Sequence, residues 1–382
     1  MLIVNLAGQL NALGNKTKIF TYIDGFLYKE LKDRGIDFEF KDLKEIKIEG
    51  VGNHINSDDI LVWFIYFEGM YYFKQANPKV LAWVIIPTAF TALNRLNKYN
   101  LKFLTKFAIK KIYGKNALIF MDKTCVDEIE RFYNLKLNNP TLLPIPIINC
   151  EVNRFLKVEP SKEHSFQVTY IGRGVIWKYY PCLKILNDLA HLKDEKPSII
   201  FHIITQDIEF YRNRIAEKNA ELSKIEIKYH DNLIGGKLDD FLIRNSNLHI
   251  SMGTACLEGG KLGIPSLLID ASYSEMPEAY KYRWIFETEN YCLGNLVNKD
   301  SANFKGESLE DIIYKLQYEK IYAENISRKC YSYVNENHSL RVITKLFLKI
   351  VEGTELKLHD ILGYSIRDNP IFIKLKGSNL FS

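Results

Sequence analysis

The sequence predicts an α/β protein made of two domains with parallel sheets. Strand-length apolar runs alternate with helical patterns in both halves of the chain, which is typical of parallel sheets covered by helices. The 382 residues amount to two domains at roughly 150 residues each. Aromatic residues make up 13% of the chain, which excludes a disordered or low-complexity protein.

The elements of the second half are the more regular. Strands are predicted at Phe166–Ile171, Ser198–Thr205, Ile225–His230, Asn247–Met252 and Ile264–Asp270. Helices are predicted between them at Cys182–Leu192, Ile208–Leu222, Leu238–Arg244 and Cys256–Leu262. This half therefore predicts a Rossmann-like domain, in which ligands bind beyond the carboxyl ends of the strands.

The first half has a similar layout. Strands are predicted at Leu2–Leu6, Asp37–Phe40, Ile60–Phe67, Val80–Ile86 and Ala117–Met121, and helices at Lys18–Arg34, Leu93–Tyr113 and Cys125–Phe132. Gly8 and Gly14 lie between the first strand and the first helix. A glycine-rich turn at that place lets the backbone approach a ligand in the cleft, or serves only the geometry of the loop.

The domain boundary is predicted in Asn138–Pro160, which carries four prolines and few helix signals. Residues 1–150 form the first predicted domain and residues 151–335 the second. Helical patterns follow at Leu309–Tyr318 and Ile321–Val351, and a polar tail begins after Gly353. Residues 336–382 are expected to return to the first domain. Two such domains in tandem predict a cleft between them.

Compartment and partners are predicted from charge, cysteines and apolar runs. None of the six cysteines forms a CxxC motif, and so large a chain has little need of disulfides, so reduced thiols and a cytoplasmic location are expected. The longest apolar runs fall short of the ~18 residues that a spanning helix needs. The net charge of +5 is too mild for a dedicated nucleic-acid binder, and no nucleic-acid partner is expected.

The first motif with possible chemistry is Tyr170–Lys178, where a predicted strand ends at Gly172. Arg173 and Lys178 follow, five residues apart, before the next helix. Two fixed cations at a strand's carboxyl end suit a diphosphate, because arginine grips oxygens bidentately and lysine acts as a point charge. A merely solvated basic loop is the alternative.

The second motif is Ser251–Pro265. A strand runs into Gly253 and Thr254, where a helix begins and its amide groups can face an anion. Glu258 lies about one turn into that helix, where its carboxylate could accept hydrogen bonds from ribose hydroxyls. Alternatively, Glu258 only complements the helix dipole.

Together these motifs resemble the nucleotide-sugar site of GT-B glycosyltransferases, and most closely that of glycosyltransferase family 4. The family's Gly-Arg and its lysine five residues later match Gly172, Arg173 and Lys178. Its helical glutamate, followed by Gly-x-Pro, matches Glu258 and Gly263–Pro265. Leu143–Pro146 resembles the segment that leaves the N-terminal domain, and Ile321–Val351 resembles the C-terminal helices that cross back to it.

The resemblance implies a GT-B fold with an acceptor-binding N-terminal domain and a donor-binding C-terminal domain. Arg173 and Lys178 would hold the donor diphosphate and stabilise its charge as it leaves, and Glu258 would bind the ribose. Gly172, Gly253, Thr254 and Ala255 would complete the donor site. A nucleotide-diphosphate sugar is then a substrate and no cofactor is expected. Because two cations and a helix N-terminus can stabilise the leaving group, no metal is expected either.

One departure from the family concerns a second glutamate, eight positions before the ribose glutamate, that touches the transferred sugar. Ile250 stands at that position. The donor sugar is therefore undefined, although retention of anomeric configuration is what the resemblance implies. The histidine that many relatives carry in the N-terminal domain has no counterpart in Val84–Phe90, and His54 is a weak substitute. No general base is assigned.

The third feature is the basic segment Leu93–Lys115, which carries seven cations and no acid. Five of them, assigned to membrane contact, are Arg95, Lys98, Lys102, Lys106 and Lys110. Four lysines from Lys98 to Lys110 repeat every fourth residue, and leucine and phenylalanine side chains supply the apolar side. Such a helix is typical of binding at an anionic membrane surface. The alternative is a helix packed on the sheet with solvated lysines.

The sequence therefore predicts a transferase that moves a sugar from a nucleotide-diphosphate sugar to a glycan or polyprenyl-linked glycan, in surface polysaccharide synthesis such as that of O-antigen or capsule. It is expected at the inner face of a bacterial cell membrane, as a peripheral protein. Two alternatives remain open at this point. One is a nucleotide-sugar epimerase of similar fold, and the other is a catalytically silent, membrane-peripheral subunit of a glycan-assembly complex.

Overall fold

The computed structural model describes residues 2–21, 32, 39–42, 55–63, 76–87, 102–148, 165–192, 198–217, 222, 224–231, 233–297 and 305–362. The chain divides into two compact units. Unit 1 comprises Met1–Pro146 and Leu340–Ser382, and unit 2 comprises Ile147–Ser339.

Unit 1 is built on a parallel four-stranded sheet. Its elements before unit 2 are α1 (Leu2–Ala12), β1 (Lys18–Thr21), β2 (Glu39–Asp42), β3 (Ile60–Trp63), β4 (Lys79–Val84), α2 (Lys102–Gly114), β5 (Leu118–Phe120), α3 (Lys123–Tyr133) and β6 (Thr141–Leu142). The sheet has the order β3-β4-β5-β6, and β1 pairs with β2 in a separate parallel pair. Central β4 is buried from Val80 to Val84, as expected of a strand covered on both faces.

Unit 2 is built on a six-stranded sheet. Its elements are β7 (Ser165–Ile171), α4 (Ile176–Ala190), β8 (Ser198–Ile204), α5 (Ile208–Ala216), β9 (Ile225–His230), α6 (Gly236–Asn245), β10 (Leu248–Ser251), α7 (Thr254–Gly260), β11 (Ser266–Leu268), β12 (Arg283–Trp284), α8 (Leu309–Tyr318) and α9 (Lys320–Asn337). The strand order is β12-β11-β10-β7-β8-β9. All pairs are parallel except β11 with β12.

The chain returns to unit 1 as α10 (Leu340–Glu352) and α11 (His359–Leu362). Ile343 and Phe347 of α10 share a buried cluster with Leu6 and Leu10 of α1 and with Trp83 of β4. The segment between the two helices also packs, because Val80 donates a backbone hydrogen bond to Leu356. The polar tail predicted after Gly353 is therefore wrong as far as Leu362, where Leu356, Leu358 and Ile361 are buried.

Two predictions at the start of the chain are also wrong. Leu2–Leu6 is part of helix α1 and not a strand, and Lys18–Thr21 is a strand and not the start of a helix. The stretch at 2–7, in which Asn5 is the one polar residue, is too short to distinguish a strand from the start of a buried helix. Most of the predicted helix Lys18–Arg34 lies outside the described residues, as does the segment 93–101.

The five predicted strands of unit 2 are confirmed within two residues at each end. Helix α4 begins six residues before its predicted start, and Pro181 lies inside it. Proline cannot donate to the carbonyl four residues earlier, which is that of Trp177. That carbonyl instead accepts a hydrogen bond from the backbone N–H of Ser272, at 3.1 Å. Because Pro181 does not use the Trp177 carbonyl, this carbonyl is available for the hydrogen bond that joins α4 to the segment after β11.

Candidate functional site

The candidate site lies at β7, where the strand order of the unit 2 sheet reverses. Strands β8 and β9 lie on one side of β7, and β10 and β11 lie on the other. Ligands in such sheets bind in the crevice at the carboxyl ends of the two strands that flank the reversal. Here these ends are tied together, since the N–H of Ile171 donates to Ser251 Oγ at 3.0 Å. Residues 172–175 and 252–253 therefore leave the sheet side by side.

Gly172 begins the first of these loops because no larger residue fits. A Cβ at this position would lie 2.6 Å from the Tyr170 ring and 2.7 Å from the Tyr211 hydroxyl. The glycine is buried, and Arg173 directly after it is exposed. The loop therefore brings the backbone close to the sheet and directs the next residue to solvent.

The backbone of Arg173 is fixed by side chains that sequence reasoning missed. The Tyr211 hydroxyl donates to the Arg173 carbonyl at 2.9 Å. Asp207, after β8, accepts a hydrogen bond from the N–H of Gly174 at 2.8 Å. Gly174 also packs closely on this aspartate, since a Cβ there would lie 2.4 Å from that of Asp207. The Arg173 loop is thus held by α5 and by the end of β8.

Lys178 is the third residue of α4, and its ammonium interacts electrostatically with the guanidinium of Arg173. Burial lowers the pKa of Lys178 to about 8, and the positive charge of Arg173 adds to the effect. Its Nζ lies 5.3 Å from the centre of the Trp177 ring. Arg173 and Lys178 lie at the N-terminus of α4, which is the positive end of the helix dipole. The first turn of α4 contains no acidic residue that would neutralise this positive charge. This arrangement favours an anion.

The second loop contains Gly253, Thr254 and Ala255 at the start of α7. Gly253 has φ +63°, a conformation that favours glycine. Its N–H donates to the Leu293 carbonyl at 2.7 Å, so this amide is already engaged. Thr254 and Ala255 are in the first turn, where amides have no carbonyl partner within the helix. The predicted helix start is confirmed, and Gly253 contributes geometry rather than an open donor.

Glu258 is partly exposed and pairs with a buried lysine that the sequence reading passed over. Lys261 Nζ lies 2.6 Å from Glu258 Oε2 and 2.8 Å from Asp239 Oδ1 of α6. Burial alone would lower the pKa of Lys261, but the two carboxylates outweigh it and the net direction is upward. The pairing uses one oxygen of Glu258. The lone pairs of Oε1 can still accept hydrogen bonds from a ligand.

Ile250, at the family's first glutamate position, lies within β10 and is completely buried. A residue at this place faces the core of the sheet, with Leu248 and Leu257 in the same cluster. No carboxylate therefore reaches a sugar from position 250.

A second group that sequence reasoning missed surrounds Asp270, just after β11. Arg283 donates to both of its oxygens, at 2.6 and 3.0 Å, and the N–H of Asn295 donates to Oδ1 at 2.8 Å. This network holds the segment that carries Leu293, which in turn accepts the hydrogen bond from Gly253. The strand end at Asp270 was readable in the sequence, whereas its partners 13 and 25 residues away carry no periodic signal.

The predicted glycine turn in unit 1 is wrong. Gly8 lies inside α1, and Gly14 follows the helix with φ +84° before β1 begins. Neither lies between a strand and the following helix, so the structural basis for an acceptor contact at these two glycines is lost. His54 lies outside the described residues.

The basic helix α2 has a buried side and an exposed aromatic side. Thr105, Ala108, Ile109 and Ile112 are buried. Phe103 and Phe107 are 53% and 56% exposed, and Lys110 is exposed beside them. Three cations of the basic segment have partners in unit 1: Lys106 Nζ donates to the Asn134 carbonyl at 2.8 Å, and Lys111 and Lys115 lie 3.7 and 3.1 Å from Asp360. Arg95 and Lys98 lie outside the described residues, and so does the side chain of Lys102.

Within the described residues, no helix is both long and apolar enough to span a bilayer. In this part of the chain, no group of three or more histidine, cysteine, aspartate or glutamate side chains is arranged to hold a metal ion. None of the five described cysteines forms a disulfide.

No protein-family model and no curated protein matches this sequence. The structure, however, is similar to solved glycosyltransferases. A glycosyltransferase from Rickettsia africae is 17% identical with a TM-score of 0.61, over 92% of this chain and 93% of that one. HepE from Anabaena, solved in complex with UDP and glucose, is 10% identical with a TM-score of 0.58, over 92% and 95% of the two chains.

The lipopolysaccharide outer core galactosyltransferase WaaB is also similar, at 11% identity and a TM-score of 0.54, over 92% of this chain and 94% of that one. At such identities the likeness establishes the fold. The resemblance to family 4 rests on the motif residues alone. The chain therefore has the mixed α/β, parallel-sheet fold of GT-B glycosyltransferases.

Proposed function

We propose that the protein is a glycosyltransferase that takes its sugar from a nucleoside-diphosphate sugar bound to unit 2. The observation that carries the proposal is the placement of Arg173 and Lys178 at the N-terminus of α4, next to the reversal of the sheet. The charge of Arg173 contributes to the lowered pKa of Lys178, so the two cations repel each other. A bound diphosphate would remove this repulsion and satisfy the helix dipole.

The reaction breaks the bond between the anomeric carbon of the sugar and the β-phosphate oxygen. Negative charge develops on that oxygen, and Arg173 and Lys178 stabilise it while an acceptor hydroxyl attacks the anomeric carbon. The proton of the hydroxyl passes to the departing phosphate oxygen, so the products are the glycoside and the nucleoside diphosphate. Glu258 accepts hydrogen bonds from the ribose through Oε1. Gly172, Gly253, Thr254 and Ala255 lie beside the phosphates or the transferred sugar. Since the two cations stabilise the leaving group, we expect activity to persist in EDTA.

Retention of anomeric configuration, which the resemblance implies, also belongs to the proposal. It is tested by the coupling constant of the anomeric proton in the product. With Ile250 buried in β10, the contacts to the transferred sugar must come from other residues than a glutamate at that position.

The acceptor that we propose is a glycan or polyprenyl-linked glycan in bacterial surface polysaccharide synthesis, such as that of O-antigen or capsule. The similarity to a lipopolysaccharide galactosyltransferase supports it. Helix α2 adds a second support, because exposed Phe103 and Phe107 beside Lys110 suit the surface of an anionic membrane. The protein would then be cytoplasmic and peripheral at the inner face of the cell membrane.

The experiment that tests the proposal is incubation of the purified protein with a panel of uridine, guanosine and adenosine diphosphate sugars. Release of the nucleoside diphosphate, with transfer or slow hydrolysis of the sugar, supports a glycosyltransferase. Interconversion of the sugars without release would instead indicate an epimerase. Binding without turnover would indicate a catalytically silent subunit. This is the second candidate, because Ile250 stands where the family has a glutamate. If none of the nucleotide sugars binds, the proposed donor site is refuted.

A further inference from the structure

His249 is a buried polar residue in the middle of the unit 2 sheet. It lies on β10, opposite Thr169 of β7 and Ser266 of β11, and no part of it is exposed to solvent. A buried imidazole is costly unless both ring nitrogens have hydrogen-bond partners. Both have partners here. His249 Nδ1 lies 2.9 Å from Thr169 Oγ1, and Nε2 lies 2.9 Å from the Ala255 carbonyl oxygen.

The partners define the tautomer of the ring. A carbonyl oxygen only accepts, so Nε2 carries the proton and donates to Ala255. The Thr169 hydroxyl then donates to Nδ1, and it can accept from the Ser246 hydroxyl at 2.7 Å. Burial lowers the pKa of His249 to about 4, so the ring is neutral near pH 7. The imidazole is therefore a fixed donor at the end of a hydrogen-bonded chain.

The ring contacts α7 at two places. It bonds to Ala255 in the first turn, and it packs beneath Gly259, where a Cβ would lie 2.7 Å from His249 Cδ2. Helix α7 has seven residues and no side-chain hydrogen bond at its N-cap. So short a helix is not stable by itself, and its position depends on tertiary contacts. Glu258 lies on this helix, between the two contacts.

We propose that His249 is a positioning residue that sets the place of α7 against the sheet and thereby aims the Glu258 carboxylate at the ribose of the donor. The proposal rests on the proposed function for the ribose and on the geometry of β10 and α7 for the positioning. It predicts that loss of the Nε2 donor reduces recognition of the ribose hydroxyls specifically, beyond any loss of stability.

The test compares uridine, guanosine or adenosine diphosphate, whichever binds the wild type, with its 2′,3′-dideoxy analogue. We expect the wild type to prefer the ribonucleotide by about tenfold or more, since hydrogen bonds to a charged group contribute about 1.5 kcal/mol or more. His249→Phe keeps a ring of similar volume but no donor, and should bring the ratio of the two dissociation constants close to one. His249→Gln places an amide where Nε2 stood and should restore most of the ratio.

A purely structural role would lower the melting temperature in His249→Phe and leave the ratio unchanged, and this result would overturn the proposal. If that variant does not fold, Thr169→Val removes the partner of Nδ1 while leaving the imidazole, and should lower the ratio partially. An unchanged ratio in Thr169→Val would then count against the proposal.

The failure of the donor assignment is distinguishable from the failure of the positioning. If the wild type binds no nucleotide, the proposed function fails, and amide exchange in α7 decides the positioning alone. Faster exchange of the α7 amides in His249→Phe than in His249→Gln supports the role of Nε2, and equal exchange overturns it.

Discussion

Lys261 joins two helices of unit 2 by placing its ammonium 2.6 Å from Glu258 and 2.8 Å from Asp239. Its side chain is only 8% exposed. The lysine therefore does two things at once: it ties α6 to α7, and it restrains the carboxylate that we assign to the ribose.

Replacement of this lysine should destabilise the protein. Lys261→Met removes the charge and leaves two poorly solvated carboxylates unpaired, so we expect the free energy of unfolding to fall by about 3 kcal/mol in urea titrations. Lys315→Met is the matched control, because Lys315 pairs with Glu307 at a more exposed place. We expect the free energy of unfolding of this control variant to fall by less than about 1 kcal/mol. Equal losses in the two variants would contradict a special role of Lys261.

Arg173→Ala and Lys178→Ala should each lower kcat/KM by about 100-fold or more, because removal of one preorganised donor to developing charge has an effect of this size. Melting temperatures should stay close to that of the wild type for Arg173→Ala, since its side chain is exposed. Arg212→Ala is the control, as this arginine pairs with Glu209 on the surface of α5. Wild-type rates in both test variants would refute the diphosphate assignment.

Binding of a nucleoside diphosphate should weaken above pH 8. Lys178 has a pKa of about 8 in the free protein, and its protonated form is the one that attracts a diphosphate. Affinity should therefore be constant below pH 8 and fall by up to tenfold per pH unit above it, as one proton must be taken up on binding. Calorimetric titration of uridine diphosphate between pH 6.5 and 9.5 measures this dependence.

Two variants identify the titrating group. Lys178→Met should bind weakly, with little pH dependence between 7 and 9. In Arg173→Ala the break should move to higher pH, because the charge of Arg173 is one cause of the lowered pKa of Lys178. An unchanged break in Lys178→Met would assign the titration to another residue.

Gly174→Ala should destabilise unit 2 by about 1–3 kcal/mol, the usual effect of overpacking. The added methyl group would lie 2.4 Å from the Cβ of Asp207, and neither atom can move without its backbone. The measurement is the free energy of unfolding in urea. Gly236→Ala is the control, since a Cβ at this first residue of α6 meets nothing within 4 Å. That variant should be neutral or more stable by up to about 1 kcal/mol.

The membrane proposal predicts sedimentation of the wild type with vesicles that contain anionic lipid. The double variant Phe103→Ser/Phe107→Ser should lose this binding, because the two exposed rings provide the apolar contact. A triple replacement of Lys98, Lys102 and Lys106 with Glu should release the protein as well. Tyr314→Ser/Tyr318→Ser is the control, since these tyrosines form an equally exposed aromatic pair on α8. A wild type that stays in solution would refute the proposal.

Local sequence patterns were sufficient for most of unit 2. Its strands are apolar runs bounded by glycine or polar residues, and the structure confirms them together with the start of α7. The patterns failed at residues 2–6 and 18–21, where four or five residues do not define a period. They also failed at α4, which begins six residues before its predicted start and contains Pro181.

The spacing of Arg173, Lys178 and Glu258 could be read from the sequence, whereas the residues that hold them could not. Asp207, Tyr211 and His249 act through hydrogen bonds to residues that lie 33, 38 and 80 positions away in the sequence, respectively. Such contacts depend on strand order. β10 lies beside β7 only because the order of the strands reverses at β7, so no local sequence pattern predicts these contacts.

The return of the chain to unit 1 at Leu340 has a consequence for synthesis on the ribosome. Phe347 packs 6.1 Å from the ring of Trp83, and Ile343 closes the same cluster, so the core of unit 1 needs a helix that is translated after all of unit 2. Unit 2 is contiguous in sequence and can fold as soon as it has emerged. The order of folding is therefore expected to be inverted. Most of unit 1 is made first, but its core is completed last, when α10 packs against α1 and β4.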